Sequence, residues 1–178
     1  MKSILLSIRP KYVELIASGE KTIEVRKTAP QEVPFKAYIY CTNGEYSPTN
    51  CGKKSISDCL ILNRNVVNGQ VIGEFICDKV DKYTFSHYEA EYRVTHVEQN
   101  AMCLNQPELI RYGKGETLYG LHISDLKIYD RPKELSEFRT PKNPHRIGNS
   151  HSWILDGYKK ITRPPQSWMH VEDLGEEE

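Results

Sequence analysis

The sequence predicts an α+β domain, a small and mostly antiparallel β-barrel with short helices at its side. Three observations carry this prediction. The chain has 178 residues, which suits one domain with an extension. Its apolar runs (ILLSI, AYIYCT, VIGEFIC) are short and strand-sized, and they outnumber the segments with helical spacing. After Tyr129 the texture turns polar, with prolines at 132, 141, 144, 164 and 165 and an acidic end. We therefore expect about five to seven strands, what a domain of this size can close. The barrel is placed at residues 1–129, and residues 130–178 are read as a C-terminal extension wrapped on it, with its last residues frayed.

The elements follow in order. Residues 3–8 are β-compatible. Pro10 suits the first turn of a helix, where a missing N–H costs nothing, and Tyr12, Val13 and Ile16 recur at helical spacing. Gly19 offers a left-handed stop. A strand over residues 23–26 puts Ile23 and Val25 on one face and Glu24 and Arg26 on the other. Residues 37–42 read as a strand and 43–58 as a turn-rich surface excursion. LILNRNVVNG fits a short helix or an irregular strand equally. Val71 to Val80 reads as a strand, with others near 92–98 and 117–129 and a short helix around Gln106–Tyr112 between them.

Composition excludes several functions. Lys plus Arg equals Asp plus Glu, 24 each, so no global field draws the chain to a polyanion, and strong non-specific binding to duplex DNA is not expected. A local basic cleft remains allowed. No apolar run approaches membrane-spanning length, and the start lacks a signal-peptide h-region, so no membrane role is expected. Five cysteines at 41, 51, 59, 77 and 103 form no framework spacing, which favours free thiols in a reducing cytoplasm. There is no C-x-x-C or H-x-x-x-H pattern, no phosphate loop, no dinucleotide fingerprint and no G-x-S-x-G, so neither a metal nor a cofactor is expected.

Chemistry concentrates in GEKTIEVR, residues 19–26. Taken alone, Lys21, Glu24 and Arg26 read as routine surface pairs, which contribute little. Glu74 is more pointed. It lies in V-I-G-E-F-I-C with apolar neighbours on both parities, and a buried carboxylate without a partner is costly. It is either an edge-strand residue facing solvent or a carboxylate in a pocket partnered by Lys21 or Arg26, and we favour the pocket.

Gly19, Lys21, Glu24 and Arg26 match the Gly-x-Lys-x-x-Glu-x-Arg signature of the ASCH domain, and IRPKYVELIASGEKTIEVRK resembles its bacterial and prophage-borne members. LYGLHISDLKIYD and RPPQSW are similar to the longer ones. The resemblance covers residues 4 to about 129. It implies a PUA-like barrel with a cleft beside the first helix and RNA, a nucleotide or a modified nucleoside as ligand. Some compact members are amidohydrolases that deacylate N4-acetylcytidine, and others have been assigned RNA cleavage. In the amidohydrolases a lysine, a threonine three residues on and a distant strand glutamate form the site. Lys21 and Glu74 match the first and last, whereas Glu24 stands at the threonine position. A carboxylate cannot replace an activated hydroxyl without changing the chemistry.

Tyr112, Tyr119, His122, Trp153 and Trp168 offer stacking faces, and Arg163 could meet a phosphate. The R-P-P-Q-S-W run leaves two readings open: it holds Ser167 and Trp168 over a ligand, or it seals the barrel opening. The expected function is therefore binding of RNA or a nucleotide by Lys21, Glu24, Arg26 and Glu74, with Arg163, Ser167 and Trp168 contributing. The alternative is a small hydrolase acting on an acylated nucleoside or on RNA phosphodiesters, in which Lys21, Glu24 and Glu74 are catalytic.

Overall fold

The computed structural model describes residues 1–43, 68–141 and 159–175, together with the backbone of 144–146 and 153–155. Most of the expected excursion at 43–58, nearly all of LILNRNVVNG, Cys51, Cys59, the Trp153 side chain and the expected frayed tip at 176–178 lie outside the described residues.

The described strands are β1 (Lys2–Ile8), β2 (Ile23–Arg26), β3 (Phe35–Cys41), β4 (Val71–Cys77), β5 (Val80–Tyr83), β6 (Phe85–Ser86), β7 (Glu91–Tyr92), β8 (Leu118–His122), β9 (Ser124–Lys133), β10 (Pro144–Arg146), β11 (Trp153–Leu155) and β12 (Trp168–Val171). The helices are α1 (Pro10–Ala17), α2 (His96–Met102) and α3 (Gln106–Gly113). A five-stranded sheet has the order β12-β1-β3-β4-β9, and a three-stranded sheet the order β2-β8-β5. All their pairings are antiparallel except β1 with β3.

The two sheets share one bent ribbon. β4 pairs with β9 in the first sheet, and their continuations β5 and β8 pair in the second. At the bend the His122 amide donates to the Lys79 carbonyl at 3.0 Å, so the ladder survives the change of sheet. Closing a barrel would require β2 to pair with the far edge of the first sheet. It does not: β2 and β12 are both sheet edges, and no closed barrel forms among the described residues. The expected barrel is thus corrected to two sheets joined by one bent ribbon, with an open seam beside β2.

Strand alternation builds three cores. Ile4, Leu6, Phe35, Ala37 and Ile39 point to the inner face of the large sheet, where Val13 and Ile16 of α1 cover them. An isolated helix of α1's length would not persist, so these two side chains hold it through tertiary packing. Leu5, Tyr38 and Tyr40 point to the outer face, under Phe138, Ile161 and Val171. Ile23, Val25, Tyr83 and Leu118 pack with Met102 and Leu109 of the helices α2 and α3.

The strand expected near 92–98 is instead β7 followed by α2. Thr95 caps the helix by accepting from the Glu98 amide, and the Glu98 carboxylate accepts from the Thr95 amide at 2.8 Å. That reciprocal cap satisfies two terminal donors and outweighs the β-preference of Val97. The expected long strand at 117–129 is interrupted at Ile123, where β8 ends and β9 begins.

The C-terminal segment takes part in the main sheet. β12 pairs with β1 from Leu6 opposite Trp168 to Ser3 opposite Val171, and residue 129 falls within β9. Beyond β12, Asp173 accepts from Tyr38 Oη at 2.6 Å and from Lys36 Nζ at 3.1 Å, while the Leu174 amide donates to Tyr38 Oη at 3.0 Å. Burial pushes the Asp173 carboxyl up, but the bonds from Tyr38 and Lys36 outweigh it and hold it below the ordinary carboxylate range.

Two outcomes follow from this packing. A Cβ on Gly73 would lie 2.4 Å from the Lys127 carbonyl oxygen and 3.1 Å from Ile128 Cα, both of them backbone atoms. Gly73→Ala should therefore destabilise by about 1–3 kcal/mol in urea unfolding, and an unchanged midpoint would show that β4 and β9 separate freely. Because the Asp173 carboxyl is lowered, its contribution is present above the ordinary aspartate value and is lost as pH falls through the lowered one. Asp173→Asn should cost about 1 kcal/mol at neutral pH, one partly screened hydrogen-bonding group, with the difference from wild type fading in acid. A difference that grows in acid would contradict the assignment.

Candidate functional site

The site lies at the open seam. Gly19, with φ of +77°, reverses the chain after α1, and the Lys21 amide then donates to the Leu15 carbonyl at 2.8 Å. The Thr22 amide donates to Ala101 at 2.9 Å, tying the entry of β2 to the last turn of α2. Alternation along β2 sends Ile23 and Val25 under the helices and turns Glu24 and Arg26 the other way.

Lys21, Glu24 and Arg26 are 2%, 3% and 8% exposed, which rules out the reading of routine surface pairs. Lys21 Nζ donates to the Met102 carbonyl at 2.5 Å, lies 3.3 Å from Glu24 Oε2 and sits 5.1 Å from the centre of the Tyr12 ring. Arg26 Nη1 donates to Glu24 Oε1 and to the Val25 carbonyl. Its Nη2 crosses the seam to the Ser7 carbonyl on β1 at 2.6 Å. One carboxylate thus holds two buried cations, so the cluster carries excess positive charge. Burying charge is tolerated only with such partners.

Two buried atoms of this cluster, Glu24 Oε2 and Arg26 Nε, lack a hydrogen-bond partner among the described residues. Lys21 is near enough to Glu24 Oε2 for ion pairing, but the two do not form a hydrogen bond. Leaving a buried polar group unpaired costs about 1–3 kcal/mol, so a cluster that keeps two such atoms is not arranged for stability alone.

The cluster floors a concave cleft of about 600 Å³. One wall is the end of β1 with the segment before β12, Ser7, Pro165, Gln166 and Ser167, and the opposite wall comes from α3. The tail is fastened there by Ser7, whose Oγ donates to the Pro165 carbonyl at 2.7 Å and whose amide donates to Ser167 at 2.9 Å. Tyr12 lines the cleft, and burial first, then the carboxylates of Glu108 and Glu24, raise its hydroxyl pKa, keeping it neutral. Burial likewise raises the nearby Cys103 thiol despite Lys21, so it is a poor nucleophile.

Not all expected residues meet here. Lys21, Glu24, Arg26 and Ser167 line the cleft together with Tyr112. Glu74 does not. It stands opposite Tyr38 on the outer face of the large sheet, accepts from Tyr129 Oη at 2.5 Å and lies 3.8 Å from Lys36 Nζ. Its expected pairing with Lys21 or Arg26 is corrected to one with Lys36, because the pleat directs it away from the core that α1 covers. Arg163 is exposed and is not among the cleft-lining residues. Trp168 Nε1 donates to the carbonyl and hydroxyl of Thr28, each at 3.1 Å, and its ring packs on the inner core. Tyr119 also packs on that core, and His122 pairs with Asp81 at 2.7 Å away from the cleft.

The sequence reading missed Arg9, Tyr12, Glu108 and Arg111 as lining residues. The signal was spacing: Arg9 and Tyr12 are three apart at the start of α1. On α3, Glu108, Arg111 and Tyr112 fall at i, i+3 and i+4, one polar stripe.

The family model of the ASCH domain matches residues 6–162. A crystal structure of ASCH from Zymomonas mobilis superposes with a TM-score of 0.55 at 19% identity, covering 96% of this chain and 88% of that one. A tyrosine-to-phenylalanine mutant of that protein gives 0.51 at 18% identity, covering 97% and 91%. A serine-to-alanine mutant gives 0.51 at 18%, covering 96% and 89%. No curated protein matches the chain significantly. No helix among the described residues is long and apolar enough to cross a membrane. The fold and the matched span lead to one conclusion: the chain belongs to the ASCH domain family.

Proposed function

We propose that this protein binds RNA, or a nucleotide or nucleoside, in the cleft at the open seam, with Lys21, Glu24 and Arg26 meeting the polar edge of one base. The observation that carries the reading is the charge cluster of Lys21, Glu24 and Arg26 lining a concave cleft, with Glu24 Oε2 and Arg26 Nε making no hydrogen bond among the described residues. A nucleobase edge presents an exocyclic N–H next to a ring or carbonyl acceptor, the groups that a carboxylate and a cation recognise. The cleft volume falls within the range of about 300–1,000 Å³ usual for small-ligand sites. Tyr12 and Tyr112 supply aromatic faces for stacking. Membership of a PUA-like, RNA-binding family supports the same reading.

Turnover is the second reading, and the 3.3 Å approach of Lys21 to Glu24 favours it as an acid–base pair. It ranks below binding for two reasons. Arg26 already occupies the other oxygen of Glu24, and Glu74, the expected third group, lies on the far face of the sheet. A hydrolase here would need a nucleophile other than the threonine hydroxyl of the amidohydrolases.

The test is calorimetric titration with the four ribonucleosides, N4-acetylcytidine and short single-stranded RNAs, followed by product analysis. Lys21→Met and Glu24→Gln should each weaken binding by about tenfold or more, the loss of one charge-assisted hydrogen bond. Glu74→Gln should stay within about twofold of wild type. Affinity unchanged in both cleft variants would overturn the reading. Release of acetate from N4-acetylcytidine by the wild type, absent in Lys21→Met, would put turnover first. A parallel unfolding series checks the charge cluster itself. Glu24→Ala leaves two buried cations facing one another and should cost about 3–5 kcal/mol, well above the cost of Glu24→Gln.

A further inference from the structure

The cleft has a rim that the base-binding floor does not use. Arg9 and Arg111 both line it and both are exposed, and neither makes an ion pair or side-chain hydrogen bond among the described residues. The lining carries Arg9, Lys21, Arg26 and Arg111 against Glu24 and Glu108, an excess of two positive charges. The chain as a whole is neutral, so this excess is local.

The donor type points the same way. The start of α1 offers little itself, because Pro10 has no N–H and the Tyr12 and Val13 amides both donate to the Arg9 carbonyl, so the rim's donors are the two guanidinium groups. Guanidinium groups favour phosphate over rounder anions because their donors form a planar fork.

We infer that the rim formed by Arg9 and Arg111 takes a terminal phosphate of the bound nucleotide, so that the ligand class is a nucleoside monophosphate or a phosphorylated RNA end. The inference rests on the binding reading above and adds the phosphate to it. Charge selects the terminal group. A phosphomonoester carries about −1.5 to −2 at neutral pH and balances the local excess, whereas an internal phosphodiester carries a single charge.

The experiment measures, for each ribonucleoside that binds, the ratio of its dissociation constant to those of its 5′- and 3′-monophosphates. We expect a ratio of about tenfold or more in the wild type for one of the two phosphate positions, as charge-assisted bidentate contacts provide. The ratio should collapse towards one in the Arg9→Gln, Arg111→Gln double variant. It should persist in Lys82→Gln, which removes one charge from an exposed strand residue away from the cleft. The ratio should also shrink on acidification through the second phosphate ionisation near about pH 6. Single-stranded octamers with and without a terminal phosphate separate a free nucleotide from an RNA end. Equal affinity for nucleoside and monophosphate, or a ratio that survives the double variant, overturns the phosphate rim and leaves the base-binding floor standing. Octamers that bind equally well without the terminal phosphate overturn it in favour of an internal diester. Failure of every nucleoside, nucleotide and octamer to bind overturns both.

Discussion

The open edge of β2 is the constraint on which the rest of this molecule depends. Had β2 paired with the far edge of the large sheet, a ladder of backbone bonds would fill the space where the cleft lies. Instead a side chain spans the seam: Arg26 reaches the Ser7 carbonyl, and Glu24 holds Arg26 in place for that reach. An unpaired strand edge exposes donors and acceptors and invites mispairing. Here a charged cluster and the Pro165–Ser167 segment occupy that position, so one arrangement both guards the edge and creates the cleft.

Positioning of the cluster is distributed over the fold. Lys21 is placed by the turn at Gly19 and held by a carbonyl at the end of α2, Glu24 and Arg26 by the pleat of β2, and the opposite wall by α3. These supports divide between two hydrophobic cores, α1 in one and β2, α2 and α3 in the other. The floor geometry therefore reports on packing throughout the domain. Rigid support of this kind lets a site keep unpaired buried atoms without collapsing onto them.

Local chemistry was legible in the sequence, whereas long-range placement was only partly so. Pro10, the spacing of Val13 and Ile16 and the stop at Gly19 described α1 closely. The alternation of Ile23-Glu24-Val25-Arg26 correctly put the two charges on one face. Glu74 shows the limit. Its burial pattern signalled a carboxylate that needs a partner, and it has partners, but no local signal says which face of the sheet a mid-strand residue meets. That depends on the register of β4 against β3, set by residues over thirty positions away. The capping box at Thr95 and Glu98 was a local signal that the strand reading of 92–98 missed. Closure of the barrel was unreadable, since it turns on one pairing that β2 fails to make.

The pairing of β1 with β12 has a consequence in time. Ser7 meets Ser167, so the first strand of the chain waits for a segment some 160 residues later to complete its sheet and the cleft wall. Contacts of such sequence separation are slow to form, because the entropy of closing the loop comes before the gain from pairing. During synthesis, at about 5–20 residues per second, the nascent domain passes through a stage with α1 and β2 available but the Pro165–Ser167 wall still unmade. Completion of the cleft wall is thereby deferred until residues 165–171 have been made, and a nascent chain displays the outer edge of β1 until then. A chaperone or a neighbouring nascent chain would encounter that edge before β12 covers it.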